Sequence, residues 1–482
     1  MSDTVIKFGT GGWRAVIGDD FVKENIVRVA SGIVMLAREE NKKDKPIIIG
    51  FDRRFLSPEA AKWCAEVFSA AGINVLFLNR SAPTPLIMHT VLDMGLYYGI
   101  EITASHNPSQ YNGIKLFTEG GRDASVDVTR RLEELIASYS GEIACTDFDS
   151  AVEKGLITYV KNPFNRFIDS IIDKLDMNVI RERGPRILFD PMHGSGTYPI
   201  MVILYTARTT LDLIHSNKDA FFGGESPAPS RPSLSDLSDR VKKGGYDLGI
   251  AVDGDGDRLG IIDSNGNYID ANQILVMLYY YLHEYKGWKG PVVRNLATTH
   301  MLDAIAHSLG EECYEVPVGF KYISDKIEKT DAVLGGESSG GLTVRGHING
   351  KDSIYSSSLF IEMFSAVGMT PTEFYASLQE KYGTYVLVED NMRFNASEYD
   401  TIKKALYDIR KESSPFDSDL VERVGCEDGV KVYFKDSSFV IARFSGTEPL
   451  LRIFAEAKND SIASGYITAV KRYVFDKTGI EL

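Results

Sequence analysis

Short apolar runs alternate with longer mixed segments over most of the chain, and the order of the two repeats. Between about residues 40 and 135, Pro46-Ile-Ile-Ile-Gly50 predicts a strand ending in Phe51-Asp52. Pro58 to Ala71 predicts a helix and Ile73 to Leu78 a second strand. Tyr98 to Thr103 predicts a third strand that enters Ala104-Ser-His-Asn-Pro108. Arg186 to Asp190 opens a second such stretch, with a glycine-bearing turn at His193-Gly194; its late strand, Asp247 to Val252, enters Asp253-Gly-Asp-Gly-Asp257. Pro291 to Arg294 opens a third, whose late strand Ala332 to Leu334 enters Gly335-Gly-Glu-Ser-Ser-Gly340. Hairpins are expected around Asn112-Gly113 and Glu119-Gly120, at Asn265-Gly266 and around Asn349-Gly350, because Asn-Gly favours tight turns.

Strands alternating with helical segments imply α/β units with mainly parallel pairing. Ligands of such sheets gather at the carboxyl ends of strands, so each unit offers one loop. The last hundred residues differ. Phe439 to Ala442 and Leu450 to Ala455 read as strands around Arg443-Phe-Ser-Gly-Thr-Glu-Pro449, and Ile462 to Lys477 reads as a closing helix. The expected fold is therefore three similar α/β domains with mixed sheets, followed by a smaller α+β domain. The expected domains are residues 1–140, 155–272, 273–378 and 384–482, with polar stretches near 140–160 and 380–400 as linkers. The longest apolar run, Ile274 to Leu282, is far short of the ~20 residues of a membrane span and reads as a buried helix.

Composition narrows the function. With 482 residues, 44% hydrophobic and 25% charged, the chain is long enough for several cores and is not a disordered polymer. Its 53 basic and 67 acidic residues give a net charge of −14, which argues against nucleic acid or an anionic membrane as partner. A small anion remains compatible, since a few arginines in one cleft suffice. The four cysteines, Cys64, Cys145, Cys313 and Cys426, have neither zinc nor Cys-x-x-Cys spacing and fit a reducing compartment. The start, Met-Ser-Asp to Lys7, has no apolar run of a signal peptide. A cytoplasmic location is expected.

Three carboxylates at alternate positions, Asp253, Asp255 and Asp257, can converge on one hard cation, the intervening glycines allowing the bends. The EF-hand alternative fails, because Arg258 stands at its sixth position and Ser264 at its twelfth. Ser105 follows a buried strand; it is either an exposed hydroxyl in a polar loop or a nucleophile that an adjacent metal could activate. Gly336-Glu-Ser-Ser-Gly340 fits the G-x-S-x-G elbow of hydrolases, but the only later histidine, His347, leaves no room for the required intervening units. Glu337 and the neighbouring hydroxyls suit sugar hydroxyls better. Arg443, Ser445, Gly446 and Thr447, with Arg452 beyond, combine guanidinium groups, hydroxyls and backbone N–H groups in the manner of a phosphate site. Gly9-Thr-Gly-Gly-Trp-Arg14 lacks the Walker A lysine. His106 and His193 read as structural hydrogen-bonding groups.

Taken in order, Gly9 to Arg14, Thr103 to Pro108, Asp253 to Arg258, Gly336 to Gly340 and Arg443 to Pro449 resemble the motif series of the α-D-phosphohexomutase superfamily, over nearly the whole chain and most like its bacterial phosphoglucomutase/phosphomannomutase branch. The resemblance implies four domains around one central cleft. It implies a phosphoserine at Ser105, Mg²⁺ held by that group with Asp253, Asp255 and Asp257, and Lys115 and Arg14 at the reaction centre, Lys115 as general acid/base. It further implies Arg258 and Lys321 facing substrate, Glu337 and Ser339 on sugar hydroxyls, and Arg443, Ser445, Gly446, Thr447 and Arg452 on the substrate phosphate. The implied reaction interconverts hexose 1-phosphate and hexose 6-phosphate, glucose first and mannose second, through glucose 1,6-bisphosphate or its equivalent. Small hexose phosphates are the expected partners of a monomer or homodimer.

The sequence departs from the family pattern at Gly12, where Asp is common, at Gly341, where some members carry His, and at Ser353, where Gly is usual. Pro227 to Pro232 is also unusual. Phe444 replaces the proline typical of phosphoglucosamine mutases. The alternatives are an aminosugar or pentose mutase of the same superfamily, a metal-dependent sugar-phosphate phosphatase, and a non-catalytic sensor; intact Ser105 and Asp residues argue against the last.

Overall fold

The computed structural model describes residues 4–9, 11–411, 413–445 and 449–480. The chain divides into two compact units, one of Met1–Ile274 with Ser339–Thr372, the other of Leu275–Ser338 with Glu373–Leu482.

The first unit contains two sheets. The larger comprises β1 (Phe8–Gly9), β2 (Gly12–Val16), β3 (Ile47–Phe51), β4 (Val75–Phe77), β5 (Tyr98–Ile102), β6 (Tyr111–Thr118), β7 (Arg122–Asp123) and β8 (Ile157–Tyr159). Its order is β1-β2-β6-β5-β3-β4-β8, with β7 on β6. β5, β3, β4 and β8 run parallel, whereas β6 is antiparallel to both β5 and β2. All five residues of β3, an uninterrupted apolar run, and all five of β5, Glu101 among them, are buried, as strands with helices on both sheet faces are. The helices Lys23–Glu39 and Ser57–Ala70 contribute Ile26, Val29, Ala61 and Phe68 to this core. The second sheet has β9 (Arg186–Asp190), β10 (Thr210–Leu213), β11 (Leu248–Val252), β12 (Leu259–Asp263) and β13 (Tyr268–Ile269), in the order β10-β9-β11-β12-β13.

In the second unit, β14 (Val292–Asn295) pairs in parallel with β15 (Cys313–Val316) and β16 (Leu334–Gly336). The strands β4-β3-β5, β10-β9-β11 and β15-β14-β16 thus repeat one arrangement, in which the first strand is central. In each, the third strand runs into the expected polar loop. β17 (Leu342–Val344) follows in the first unit. The C-terminal sheet is antiparallel, with β18 (Val386–Arg393), β19 (Val421–Gly425), β20 (Val430–Phe434), β21 (Phe439–Phe444) and β22 (Leu450–Ala457) in the order β18-β22-β21-β20-β19. The helix Asp460–Thr478 packs Val470 and Val474 against its apolar face.

Several local expectations are corrected. Asn112-Gly113 lies inside β6, not in a turn; Asn112 Nδ2 instead donates to Phe55 O (3.0 Å) and Ser57 Oγ (2.9 Å). The turn that joins β6 to β7 is at Glu119-Gly120. No strand follows Asn349-Gly350; the next element is the helix Ser353–Val367. Residues 140–160 are not a plain linker, because Phe148–Glu153 is helical and β8 joins the first sheet. Nor is 380–400, where β18 forms an edge of the last sheet. The run Ile274 to Leu282 lies in the helix Ala271–Glu284 and is buried apart from Tyr280. Among the described residues no helix is long and apolar enough to cross a membrane.

Candidate active site

Where β5 ends, the chain turns back into β6 through Ser105, whose φ of 52° lies in the left-handed region that serine rarely occupies. A buried polar frame holds it there. Ser105 N donates to Thr103 Oγ1 (2.8 Å), and Thr103 Oγ1 donates to Asp52 Oδ2 (2.7 Å). Asp52 Oδ1 accepts from Arg54 N (2.9 Å) and Ser57 Oγ (2.7 Å). Arg54 is only 1% exposed. Its guanidinium donates to Ser105 O and Asn107 O (both 2.6 Å), to Pro108 O (2.9 Å) and to Tyr111 O (3.0 Å), with Nε 3.2 Å from Asp52. One side chain thus satisfies four carbonyls of the loop, which offsets the cost of the strained serine.

The Asp253–Asp257 loop, at the end of β11, meets this turn. Ser105 Oγ donates to Asp253 Oδ2 at 3.0 Å. Asp253 Oδ1 accepts the N–H groups of Asp257 (2.8 Å) and Arg258 (2.9 Å), which shapes the loop. Thr84 fixes Asp255 twice, Oγ1 to Oδ2 (2.6 Å) and N to the carbonyl (2.8 Å). Lys115, from β6, reaches Asp255 Oδ2 (2.6 Å) and Asp257 Oδ2 (2.7 Å), and Lys351 Nζ stands 3.0 Å from Asp257.

All three carboxylates are buried and offer ligand atoms within 4.8 Å of one another. Asp255 Oδ1 and Asp257 Oδ1 are buried without a hydrogen-bond partner. Three buried carboxylates with two orphaned oxygens form the donor set of a hard divalent cation such as Mg²⁺. The electrostatics agree. Burial, then Asp257 and Asp255, push the Asp253 carboxyl well above the usual carboxylate range. Burial also acts on Asp255 and Asp257, but there Lys115 prevails, helped by Thr84 at Asp255 and by Lys351 and Arg258 at Asp257, and both carboxyls fall below that range. A cation at Asp253 would take the place of the proton that crowding otherwise favours.

Burial alone would lower the Lys115 ammonium, yet Asp255 and Asp257 raise it. Lys115 is therefore a fixed positive charge in this arrangement, suited to donate hydrogen bonds. The other group near the hydroxyl is His106, with Nδ1 3.3 Å from Ser105 Oγ. Burial, then Arg258 and Arg14, hold its imidazole well below its ordinary value and keep it neutral. Arg14 Nη1 donates to Asn107 Oδ1 (2.6 Å). Arg258 Nε lies 3.9 Å from Asp257 Oδ1. Ser105, Lys115, Arg14, Arg258 and the three Asp residues are thus gathered in the first unit. Ser339, also in that unit, is exposed.

In the second unit, Glu337 is buried just past β16, with Asn295 Nδ2 3.4 Å from its Oε2. Lys321 is in the first turn of the helix Phe320–Thr330, with Nζ 5.5 Å from the Tyr322 ring centroid. Arg443 and Arg452 are register partners on β21 and β22, so two guanidinium groups leave one sheet face. Arg443 Nε is 3.3 Å from Asp428 Oδ2. Ser445 N donates to Leu450 O (2.8 Å). Gly446 and Thr447 lie outside the described residues.

Sequence reasoning missed Thr84, Arg54 and Lys351. Only Lys351 carries a local signal, a lysine next to the helix-capping Asp352, whose Oδ1 accepts from Ile354 N (2.7 Å) and Tyr355 N (3.0 Å).

Comparison with known proteins agrees with the fold. Four family models match in sequence: phosphoglucomutase/phosphomannomutase alpha/beta/alpha domain I over residues 5–142, domain II over 165–266, domain III over 270–382, and the C-terminal domain over 384–472. A probable phosphoglucosamine mutase of Methanosphaera stadtmanae is 30% identical over 455 residues, 94% of either chain. A phosphoglucomutase/phosphomannomutase of Thermococcus kodakarensis is 27% identical over 465 residues, 95% of this chain and 96% of that one. Among solved structures, the phosphoglucomutase pp63/parafusin from Paramecium superposes with a TM-score of 0.85 at 20% identity, covering 98% of this chain and 96% of that one.

Proposed function

The chain belongs to the α-D-phosphohexomutase superfamily, matching all four phosphoglucomutase/phosphomannomutase domains, and from that premise we propose that it interconverts hexose 1-phosphate and hexose 6-phosphate by way of a phosphoserine at Ser105. The observation that carries the reading is the 3.0 Å contact of Ser105 Oγ with Asp253, inside a buried three-carboxylate cluster. A serine hydroxyl has little other reason to be held, strained, against a cation site.

In the proposed cycle a sugar hydroxyl attacks the phosphorus on Ser105. The P–Oγ bond breaks, a P–O bond to the sugar forms, the hydroxyl loses its proton and Oγ ends protonated. The product is a 1,6-bisphosphate. The opposite phosphate then returns to Ser105 by the reverse exchange. Mg²⁺ held by Asp253, Asp255, Asp257 and the phosphoserine would act as a Lewis acid on the transferring group. Arg14, Lys115 and Arg258 add positive charge where the phosphoryl oxygens gain negative charge. The burial of Ser105 and of all three Asp residues keeps bulk water from the phosphoenzyme. Glu337 and Ser339 take sugar hydroxyls and Lys321 faces the substrate. Arg443, Ser445, Gly446, Thr447 and Arg452 take the phosphate that is not reacting.

Glucose 1-phosphate is the first substrate to test, with mannose 1-phosphate next. A second reading, an aminosugar phosphate, is favoured by the description of the Methanosphaera relative, although Gly341 and Phe444 depart from what the aminosugar enzymes typically carry. Phosphorus NMR of glucose 1-phosphate with Mg²⁺, with and without catalytic glucose 1,6-bisphosphate, is the test. Glucose 6-phosphate forming without inorganic phosphate is the expected result. Stoichiometric inorganic phosphate would make the protein a phosphatase and overturn the proposal. Turnover of glucosamine phosphate alone would select the second reading.

A further inference from the structure

Beneath Lys115 lies a carboxyl that the proposed chemistry does not use. Glu101 and Lys115 are register partners on β5 and β6, so their side chains leave the same sheet face opposite one another. Glu101 is 0% exposed, and neither of its carboxyl oxygens has a hydrogen-bond partner. The fold makes room for it. Gly50 is its neighbour on β3, and a Cβ there would stand 2.2 Å from Glu101 Oε2. Burial, then Asp52 and Asp255, push this carboxyl well above the usual range, while Lys115 pulls the other way.

A buried carboxyl without partners costs free energy that an apolar side chain of the same length would not. In the arrangement described, the donor on its register partner is occupied, because Lys115 Nζ is bound to Asp255 (2.6 Å) and Asp257 (2.7 Å). Those two carboxylates belong to the cluster fitted to a divalent cation. A cation there competes with the ammonium for their charge, and a released Lys115 needs an acceptor within reach.

We infer that Glu101 is that acceptor: when a divalent cation takes up Asp255 and Asp257, the Lys115 ammonium exchanges its hydrogen bonds from them to the Glu101 carboxyl. Glu101 is then a positioning residue that acts through Lys115 and sets how readily the cation enters. The inference rests on the metal role proposed for the Asp loop.

The test is Mn²⁺ binding to the full, dephosphorylated chain, followed by electron paramagnetic resonance of free Mn²⁺. Glu101→Met removes the acceptor and is expected to weaken binding about tenfold. Glu101→Gln keeps an acceptor oxygen and should recover most of the affinity. In a Lys115→Met background, Glu101→Met should have no further effect. Unchanged affinity in Glu101→Met, or an equal loss with and without Lys115, would overturn the inference alone. No saturable Mn²⁺ binding by the unaltered chain would overturn the metal reading and this inference together. Should Glu101→Met fail to fold, crystals of the unaltered chain with and without Mn²⁺ decide. Lys115 Nζ within hydrogen-bond distance of Glu101 in the loaded form is the expected result, and Lys115 still on Asp255 and Asp257 would refute it.

Discussion

Asp255 and Arg54 separate two jobs that buried charged residues perform around Ser105. In the proposed reaction Asp255 supplies charge, and its position is set by Thr84 N on its backbone and by Thr84 Oγ1 and Lys115 on its side chain. Asp255→Asn keeps the size and a hydrogen-bonding oxygen but removes a cation ligand. Turnover is expected to fall about 100-fold or more, with a urea midpoint close to that of the unaltered chain. Near-normal turnover at saturating Mg²⁺ would remove Asp255 from the cation site. Arg54 is needed for shape. Arg54→Met strips four carbonyls of their donor and leaves Asp52 buried with its countercharge gone. Removing one partner of a buried pair costs about 3–5 kcal/mol, so urea unfolding should show a loss of that size. Labelling of Ser105 by glucose 1,6-bisphosphate should fail with it, because the positive φ is no longer enforced.

At the scale of elements, close approach of strands decides more than turn propensity. Gly113 shows why the Asn-Gly signal misled. Its register partner on β2 is Arg14, and a Cβ at Gly113 would stand 2.2 Å from Trp13 O and 2.8 Å from Thr103 O. The glycine is there so that β6 can lie against β2 and the Ser105 turn, and the closer of the two contacts is with Trp13, a hundred positions away. Gly113→Ala should therefore destabilise by at least ~1–3 kcal/mol, as overpacking does, and displace the serine loop. Gly465, inside the helix Asp460–Thr478, has nothing within 4 Å of where its Cβ would be. Gly465→Ala should stabilise by about 0.5–1 kcal/mol. Parallel urea titrations check both, and a neutral Gly113→Ala would refute the packing argument. The same distinction explains what was legible beforehand. Asp253, Asp255 and Asp257 could be read because the cluster is contiguous and follows the buried strand β11. Thr84 and Arg54 could not, because each contacts its target from a distant segment and is, locally, an ordinary polar residue, and the place of Lys351 beside the helix-capping Asp352 does not point to Asp257 as its partner. Residues 140–160 misread as a linker for a related reason. β8 is only three residues long, and its pairing partner β4 lies about eighty positions earlier.

Over the whole molecule, two histidines away from the Ser105 turn, one in each unit, are kept neutral by their surroundings. His89, in the first, packs against the rings of Phe167 (5.6 Å) and His347 (6.3 Å); burial, then the charge of His347, lower it to about 4. His300, in the second, faces Ser437 O with Nδ1 (2.8 Å), which requires the proton on that nitrogen, and accepts from Lys431 with Nε2 (3.0 Å). Burial, then Arg294 and Lys431, lower it to about 4 as well. Both folded values lie below the ~6.5 of an unfolded histidine. Between about pH 4 and 6.5 the unfolded chain binds the extra proton, so stability from each residue is present above pH ~6.5 and lost as pH falls through ~4. Other buried groups titrate in this range, Glu456 with the opposite sign, since burial raises it to about 7. Differences between variant and unaltered chain isolate each histidine. His89→Leu and His300→Gln should each gain on the unaltered chain as the pH falls from 7 to 5, by up to about 1.4 kcal/mol per pH unit. Hydrogen exchange on peptides from each unit should localise the gain, His89→Leu to the first and His300→Gln to the second. A difference that stays constant between pH 7 and 5 would mean that the histidine binds its proton equally well in the folded and the unfolded chain, and would refute the lowered value.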